Sequence, residues 1–387
     1  MADAGTGAAA LRARMVADLE ERGELPSAWR RAFWEVERHA FIPPLIWRRV
    51  PGVEPNDLLP LHRAANPEAW LELAYANAPV DTLVDDGRVA ADGTGHEVSS
   101  SASMPTIVAE MLDALDAQPG MRVLEIGTGT GYNAALLAHR LGGHNVSSVE
   151  IDPRVADRAR TALEVTGYDS ITVITGDGAE GFPPAAPYDR IIATAGVCTV
   201  PYAWIAQTVP GGRIVLPLSG VYQPPGILTL TVHADGTATG RFGRSAAFMA
   251  LRSQRVARPR ARQIVGDRWI ASTTDLHPYQ VAGDHDAAVA IGLRVRDCHN
   301  GYSTRPPGPG HPSRARPSRP TTSAKAAHAS SGTRCATRTN AGSIPDTRLP
   351  RHGLSPSTST DNTSSSADTR RHVPPYVLVI GEAEGGC

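Results

Sequence analysis

The sequence predicts a doubly wound α/β fold: a mostly parallel, seven-stranded, Rossmann-like sheet ending in an antiparallel hairpin. Three observations carry this. From residue 104 onward short apolar runs alternate with helical stretches of roughly 10–15 residues, the rhythm of a parallel sheet covered on both faces. A glycine-rich turn follows the first of these apolar runs. Near residue 226 the period then changes to strict alternation around an Asp235-Gly236 pair, a strong hairpin signal.

The elements follow in order. Residues 105–117 read as a helix, with Pro105 in the favoured first position. MRVLEI (121–126) is a strand, Tyr132 to Leu141 a helix, and NVSSVEI (145–151) the second strand. Pro153 to Thr166 is a helix and SITVITG (170–176) the third strand. YDRIIATA (188–195) is the fourth, a short helix spans Tyr202 to Gln207, and GRIVLPL (212–218) is the fifth. ILTLTVHADGTATGRF supplies the last two. Ahead of this unit, residues 1–98 read as a helical, substrate-side region. Ala8 to Arg22 is rich in strong helix formers. Ser27 is positioned to cap a second helix over 28–38, and Asn66-Pro67 opens a third through Leu73.

The main domain is expected over 99–250, with an extra α+β lobe over 251–300. Between Gly301 and His372 the only large aliphatic residues are Ile344, Leu349 and Leu354, and 11 Lys and Arg stand against three Asp. Such a stretch buries too little apolar surface to offset chain entropy, so 301–387 reads as a disordered, low-complexity tail, or the product of a reading-frame shift. Its basic charges are dilute and Tyr302 is its one aromatic before His372, so no nucleic-acid partner is expected. No run approaches ~18 apolar residues and no leading segment reads as a signal peptide, so a cytoplasmic protein without membrane attachment is expected. Cys198, Cys298, Cys335 and Cys387 form no paired motif, and the histidines show no metal-ligand spacing; no metal is expected.

VLEIGTGTGYNAALLAHRL carries the chemistry. Gly127, Gly129 and Gly131 occupy alternate positions between a strand and a helix, where backbone must turn sharply and pass close to a ligand. A dinucleotide fingerprint, G-x-G-x-x-G, needs its third glycine one residue later, where Tyr132 stands. Glu125, just ahead of the loop, suits a cofactor bearing an ammonium group. Both points favour S-adenosyl-L-methionine. Glu150 ends the next strand, placed to accept from two ribose hydroxyls, and Asp177-Gly178 follow the third, placed to meet an adenine amino group.

Together these residues resemble the protein-L-isoaspartate O-methyltransferase family, in an extended actinobacterial form, over roughly Phe41 to Val215. Ser101-Ala102-Ser103-Met104-Pro105 leads into Val108-Ala109-Glu110-Met111 as the family's Thr-Ile-Ser-x-Pro stretch does, with serine replacing threonine at 101 and alanine the bulkier residue at 102. VLEIGTGTGY, GDG (176–178), APYDRIIATA (186–195) and PGGRIVLPL (210–218) follow the family's wording. From the residues alone Ser103 reads equally well as a helix cap before Pro105. The resemblance implies instead that Ser103 and Ser101 are active-site hydroxyls.

The implied activity is repair of damaged proteins: methylation of the free carboxylate of an L-isoaspartyl residue, followed by unassisted collapse of the ester to a succinimide. That carboxylate is ionised at neutral pH, so no general base is needed. The expected partner is a protein or peptide carrying isoaspartate, and the enzyme is expected to be a monomer. Two alternatives stand beside it: a methyltransferase for ordinary aspartate in a ribosomally made, modified peptide, and a non-catalytic cofactor-binding protein.

Overall fold

Val123 and Leu124 are neighbours in sequence, yet their side chains belong to two separate apolar cores. Ile192 and Ile191, and Val215 and Leu216, divide in the same way. Successive residues of a strand point to opposite faces, so a run that is apolar on both registers marks a sheet covered on both sides. The computed structural model describes residues 2–50, 57–219 and 226–255, with Val289, Cys298–His299, Ala327–His328 and Leu378–Ile380.

The N-terminal part comprises α1 (Ala2–Glu21), α2 (Arg30–Glu35), α3 (Arg38–Phe41), β1 (Leu45–Arg48), β2 (Leu59–His62), α4 (Pro67–Tyr75), β3 (Val80–Val84) and β4 (Val98–Ala102). The four strands form an antiparallel sheet in the order β2-β1-β3-β4, which a purely helical reading of this region misses. Each strand is only four or five residues long, and β4 (VSSSA) offers no apolar alternation to detect. β4 also runs across the boundary expected at residue 99. Asn66 caps α4 as expected, its Oδ1 accepting from the Ala69 amide at 3.0 Å. Ser27 does not cap: α2 begins behind Trp29, whose indole is drawn into the core and donates to the Leu112 carbonyl at 3.2 Å. The helix expected over 28–38 breaks at Val36, which is extended and buried, because Arg38 is pulled toward carbonyls elsewhere in the chain.

The main sheet follows: α5 (Pro105–Leu115), β5 (Val123–Ile126), α6 (Tyr132–Leu141), β6 (Val146–Glu150), α7 (Pro153–Val165), β7 (Thr172–Thr175), β8 (Tyr188–Ala193), α8 (Tyr202–Ala206), β9 (Thr208–Leu218), β10 (Gly226–Val232) and β11 (Ala238–Phe242). β7, β6, β5, β8 and β9 are parallel neighbours in that order. β10 and β11 close the sheet as an antiparallel hairpin turning at Asp235-Gly236, Asp235 Oδ1 accepting from the Thr237 amide at 3.0 Å. These seven strands are those expected from the sequence. Beyond them the short strands β12 (Cys298–His299) and β13 (Ala327–His328) pair with each other, and β14 (Leu378–Ile380) adds to the β11 edge. The rest of the expected lobe after residue 255 and of the expected tail lies outside the described residues.

α1, α2, α5 and α6 cover one face, with Trp29, Phe33, Leu112 and Leu136 completely or almost completely buried. α8 covers the other through Trp204 and Ile205. Each such large side chain contributes about 1.5–3 kcal/mol when removed from water, so the N-terminal helices are part of the main core rather than an appendage. Among the described residues no helix is long and apolar enough to cross a membrane.

Candidate active site

The chain leaves β5 for β6 and β7 on one side, then returns to place β8 and β9 on the other. That reversal opens a crevice beyond the carboxyl ends of β5 and β8, the position where open α/β sheets bind ligands. The glycine turn lies there. Gly127, Gly129 and Gly131 have φ of +93°, +56° and +88°, a region that side-chain-bearing residues rarely adopt. At Gly127 a Cβ would also stand 2.9 Å from Thr194 Oγ1, which donates to the Gly127 carbonyl at 2.6 Å. Gly131 turns away from the crevice and packs against Ala159 and Leu163 of α7.

One cavity is lined by the turn (Gly127, Gly129), by Glu150 at the end of β6, by Gly178, by Ser101 of β4 and by Ser103 just beyond it. The nearest atom to a Cβ built on Gly129 is the Ser101 carbonyl oxygen, at 3.8 Å. Two regions far apart in sequence therefore face each other across one space. Ser103 is not a helix cap: Met104 occupies that position, and the first-turn amide of Thr106 donates instead to Asn77 Oδ1 at 3.1 Å. Ser99 and Ser100, given no role in the sequence reading, line the cavity too, but their hydroxyls are engaged by the Asp86 amide and Thr82 Oγ1. Among the described residues the Ser101 and Ser103 hydroxyls have no partner.

The three carboxylates expected to converge here do not share one role. Glu150 lines the cavity, buried, with Oε2 accepting from the Gly129 amide at 2.9 Å and Oε1 from the Asp152 amide at 3.1 Å. Burial raises its pKa above the ordinary carboxylate value, and those two amides partly offset the rise. Asp177 stands beside the cavity rather than in it, accepting from the Ala179 amide at 2.9 Å and from Ser253 Oγ at 3.2 Å. Glu125 lies one layer beneath the turn, with no exposed surface, and accepts from Asn133 Nδ2 at 2.7 Å and from Ser148 Oγ. Ser148 Oγ in turn meets Thr128 Oγ1 at 2.6 Å. Glu125 thus braces the glycine turn from below.

Burial pushes Glu125 up to about 7, against the pull of its Ser148 and Asn133 bonds and with a push from Glu150. The ordinary value is 4.5. Below that pH both folded and unfolded chains hold the proton, and stability is full. Between there and about 7 the unfolded chain releases it first, so stability falls by roughly 3 kcal/mol as pH rises. Glu125→Gln is expected to melt with the wild type near pH 4.5 and above it at pH 8. A melting difference that does not change with pH contradicts this.

Residues 249–255 cross the crevice as a strap. Its backbone bonds Gly196 on both sides, from the Gly196 amide to Met249 O and from the Leu251 amide to Gly196 O, each at 2.8 Å. Gln254 Oε1 accepts from the amides of Cys198 and Thr199. Arg252 and Arg255 then reach the cavity wall, Arg252 to Asp152 and Arg255 to Asp86, both at 2.9 Å. Asp152 stays well below the usual carboxylate range: burial works against this, and the Arg154 and Arg252 guanidiniums outweigh it. Partly exposed pairs of this kind contribute about 0–1 kcal/mol, so their consequence is geometric: they tie strap, α7 and the Asp85–Gly87 turn around one opening. Nothing in the local sequence of the strap marks these arginines as cavity residues.

The donor set fits a nucleoside-bearing sulfonium cofactor. Glu150 offers a buried carboxylate, Ile126, Val149 and Leu251 give apolar walls for a flat base, and the turn at Gly129 leaves open the space a side chain would fill. Gly178 is required for packing: a Cβ there would overlap Ile126 Cγ2. Among the described residues no group of three or more His, Cys, Asp and Glu is placed to hold a metal ion.

Residues 67–255 match the family model described as protein-L-isoaspartate(D-aspartate) O-methyltransferase. The chain is similar to a protein-L-isoaspartate O-methyltransferase of Ignicoccus hospitalis, 40% identical over 166 residues, which cover 42% of this chain and 70% of that protein. A protein of the same name from Methanothermobacter thermautotrophicus is 38% identical over 210 residues, 54% of this chain and 79% of the relative. A solved structure of a protein-L-isoaspartate O-methyltransferase is 27% identical, covering 62% of this chain and 65% of its own, with a TM-score of 0.48.

Proposed function

The chain belongs to the protein-L-isoaspartate(D-aspartate) O-methyltransferase family, and from that membership we propose how its cavity methylates isoaspartyl residues with S-adenosyl-L-methionine. The observation that supports the reading most is the meeting of the glycine turn and the Ser101–Ser103 segment across one cavity. When bound, S-adenosyl-L-methionine supplies an electrophilic methyl group on a sulfonium centre. Glu150 would hold the ribose hydroxyls, Gly127 and Gly129 would let the backbone approach, and Gly178 with Asp177 would border the base.

At the other end, the hydroxyls of Ser103 and Ser101, which have no partner among the described residues, donate to the isoaspartyl carboxylate and orient one of its oxygens toward the glycine turn. The carboxylate arrives ionised, so no residue need take a proton from it. The chain's contribution is placement of two groups in one space, worth far more than any single contact, together with exclusion of water by the 249–255 strap. Cyclisation of the resulting ester needs no residue of this protein. Among the described residues the exposed large apolar side chains are Trp34, Val89, Ile151 and Val165, and the reading keeps the monomer expected from the sequence.

The test offers labelled cofactor and two matched peptides, one with isoaspartate and one with aspartate. Turnover at least about 100-fold faster on isoaspartate is expected, the discrimination a site of paired polar groups achieves. Preference for aspartate supports a dedicated peptide methyltransferase instead, and absence of transfer to either leaves only cofactor binding.

A further inference from the structure

Arg38 has no exposed surface, and among the described residues its guanidinium meets no carboxylate. Burial lowers its pKa to about 10, so it remains charged at neutral pH. Its hydrogen bonds go instead to main-chain carbonyls. Nη1 donates to Ala74 O at the end of α4, and Nη2 donates to Ser103 O at 3.0 Å, with Ala78 O and Ala102 O each at 3.4 Å. The guanidinium carbon stands 5.8 Å from the ring centroid of Tyr132, a cavity-lining residue in the first turn of α6. Nε has no partner among the described residues.

This is a poor arrangement for stability alone. A buried charge costs several kcal/mol, an apolar side chain of similar volume often does as well or better, and an unsatisfied donor adds to the cost. What the guanidinium does, and an apolar residue cannot, is hold two consecutive carbonyls. Ala102 O belongs to the peptide plane before Ser103 and Ser103 O to the plane after it. Each plane is rigid. Fixing both sets the direction of the Ser103 Cα–Cβ bond and so confines its hydroxyl oxygen to the few positions that staggered χ1 rotamers allow.

We propose that Arg38 is the positioning residue of the carboxylate subsite, aiming the Ser103 hydroxyl through the two peptide planes that flank it and drawing the isoaspartyl carboxylate with a positive charge that no carboxylate among the described residues meets. The proposal rests on the reading of Ser103 as a substrate-facing hydroxyl.

Arg38→Gln and Arg38→Lys in the full chain separate the contributions of fork and charge. Arg38→Gln is expected to raise KM for an isoaspartyl peptide by about 10-fold or more, the scale of losing hydrogen bonds from a charged donor. Arg38→Lys, which keeps the charge, is expected to recover part of that loss. The dissociation constant for S-adenosylhomocysteine should stay within about twofold in both, a change too small to reflect loss of one hydrogen bond. Hydrogen exchange should quicken in residues 99–104 and not in 127–131. An unchanged KM in either variant, parallel losses of peptide and cofactor affinity, or loss of cooperative melting in both overturns the proposal in favour of a merely structural arginine. A silent Ser103→Ala beside a raised KM in Arg38→Gln would sink the hydroxyl reading and with it the proposal that Arg38 acts by aiming that hydroxyl.

Discussion

Replacing Ser103 with alanine is expected to lower kcat/KM for an isoaspartyl peptide by roughly 10- to 150-fold, the range spanned by losing one hydrogen bond to a charged group at about 1.5–3 kcal/mol. Stability should not change with it. The hydroxyl has no partner among the described residues and does not cap α5, so removing it breaks nothing in the folded chain. Binding of S-adenosylhomocysteine should be equally unaffected, because the cofactor side of the cavity is built by Glu150 and the glycine turn. Ser101→Ala should act in the same direction, and the double variant should lose less than the product of the two, since both hydroxyls address one carboxylate. A Ser103→Ala enzyme with wild-type kcat/KM would remove the hydroxyl from the reaction.

The second large effect concerns the opposite end. Glu150→Gln is expected to weaken S-adenosylhomocysteine by about 100-fold or more, because two charge-assisted hydrogen bonds to ribose are lost together. A glutamine also has one oxygen where the carboxylate has two, so it cannot accept from the Gly129 and Asp152 amides as Glu150 does. One amide is left facing an NH2 group, and the glycine turn loses its outer anchor. Thermal stability should fall as well, which sets Glu150→Gln apart from Ser103→Ala. Isothermal titration with the cofactor product, beside a melting curve, reads both consequences.

What the sequence made legible follows from which residues carry a backbone requirement. The turn at Gly127 and Gly129 was readable because positive φ and close approach leave few residue types for those positions. Asp235-Gly236 marked the hairpin for the same reason. Glu150 was readable as the residue ending a strand beside that turn. Glu125 was placed at the right strand end but on the wrong layer. Its neighbours Leu124 and Ile126 both point to the α8 side, so Glu125 points to the other, toward Asn133 and away from the crevice. Nothing in the local pattern says that a hydrogen-bonded pocket waits beneath the turn. The substrate end was legible only by resemblance, because VSSSA has no periodicity and its partner strands are too short to announce themselves. Arg38 and Arg252 were beyond reach for a different reason: each acts on groups 36 to 100 residues away in the chain.

The account stands on two ends of one cavity having separable duties, and a crossed measurement tests it most directly. The peptide KM and the S-adenosylhomocysteine dissociation constant are measured on the wild type, Ser103→Ala and Glu150→Gln under one set of conditions. The expected pattern is crossed: Ser103→Ala impairs use of the isoaspartyl peptide and spares the cofactor product, and Glu150→Gln does the reverse at saturating cofactor. If both variants move the same constant, or if Ser103→Ala alone weakens the cofactor product, the cavity does not bring donor and carboxylate together as described.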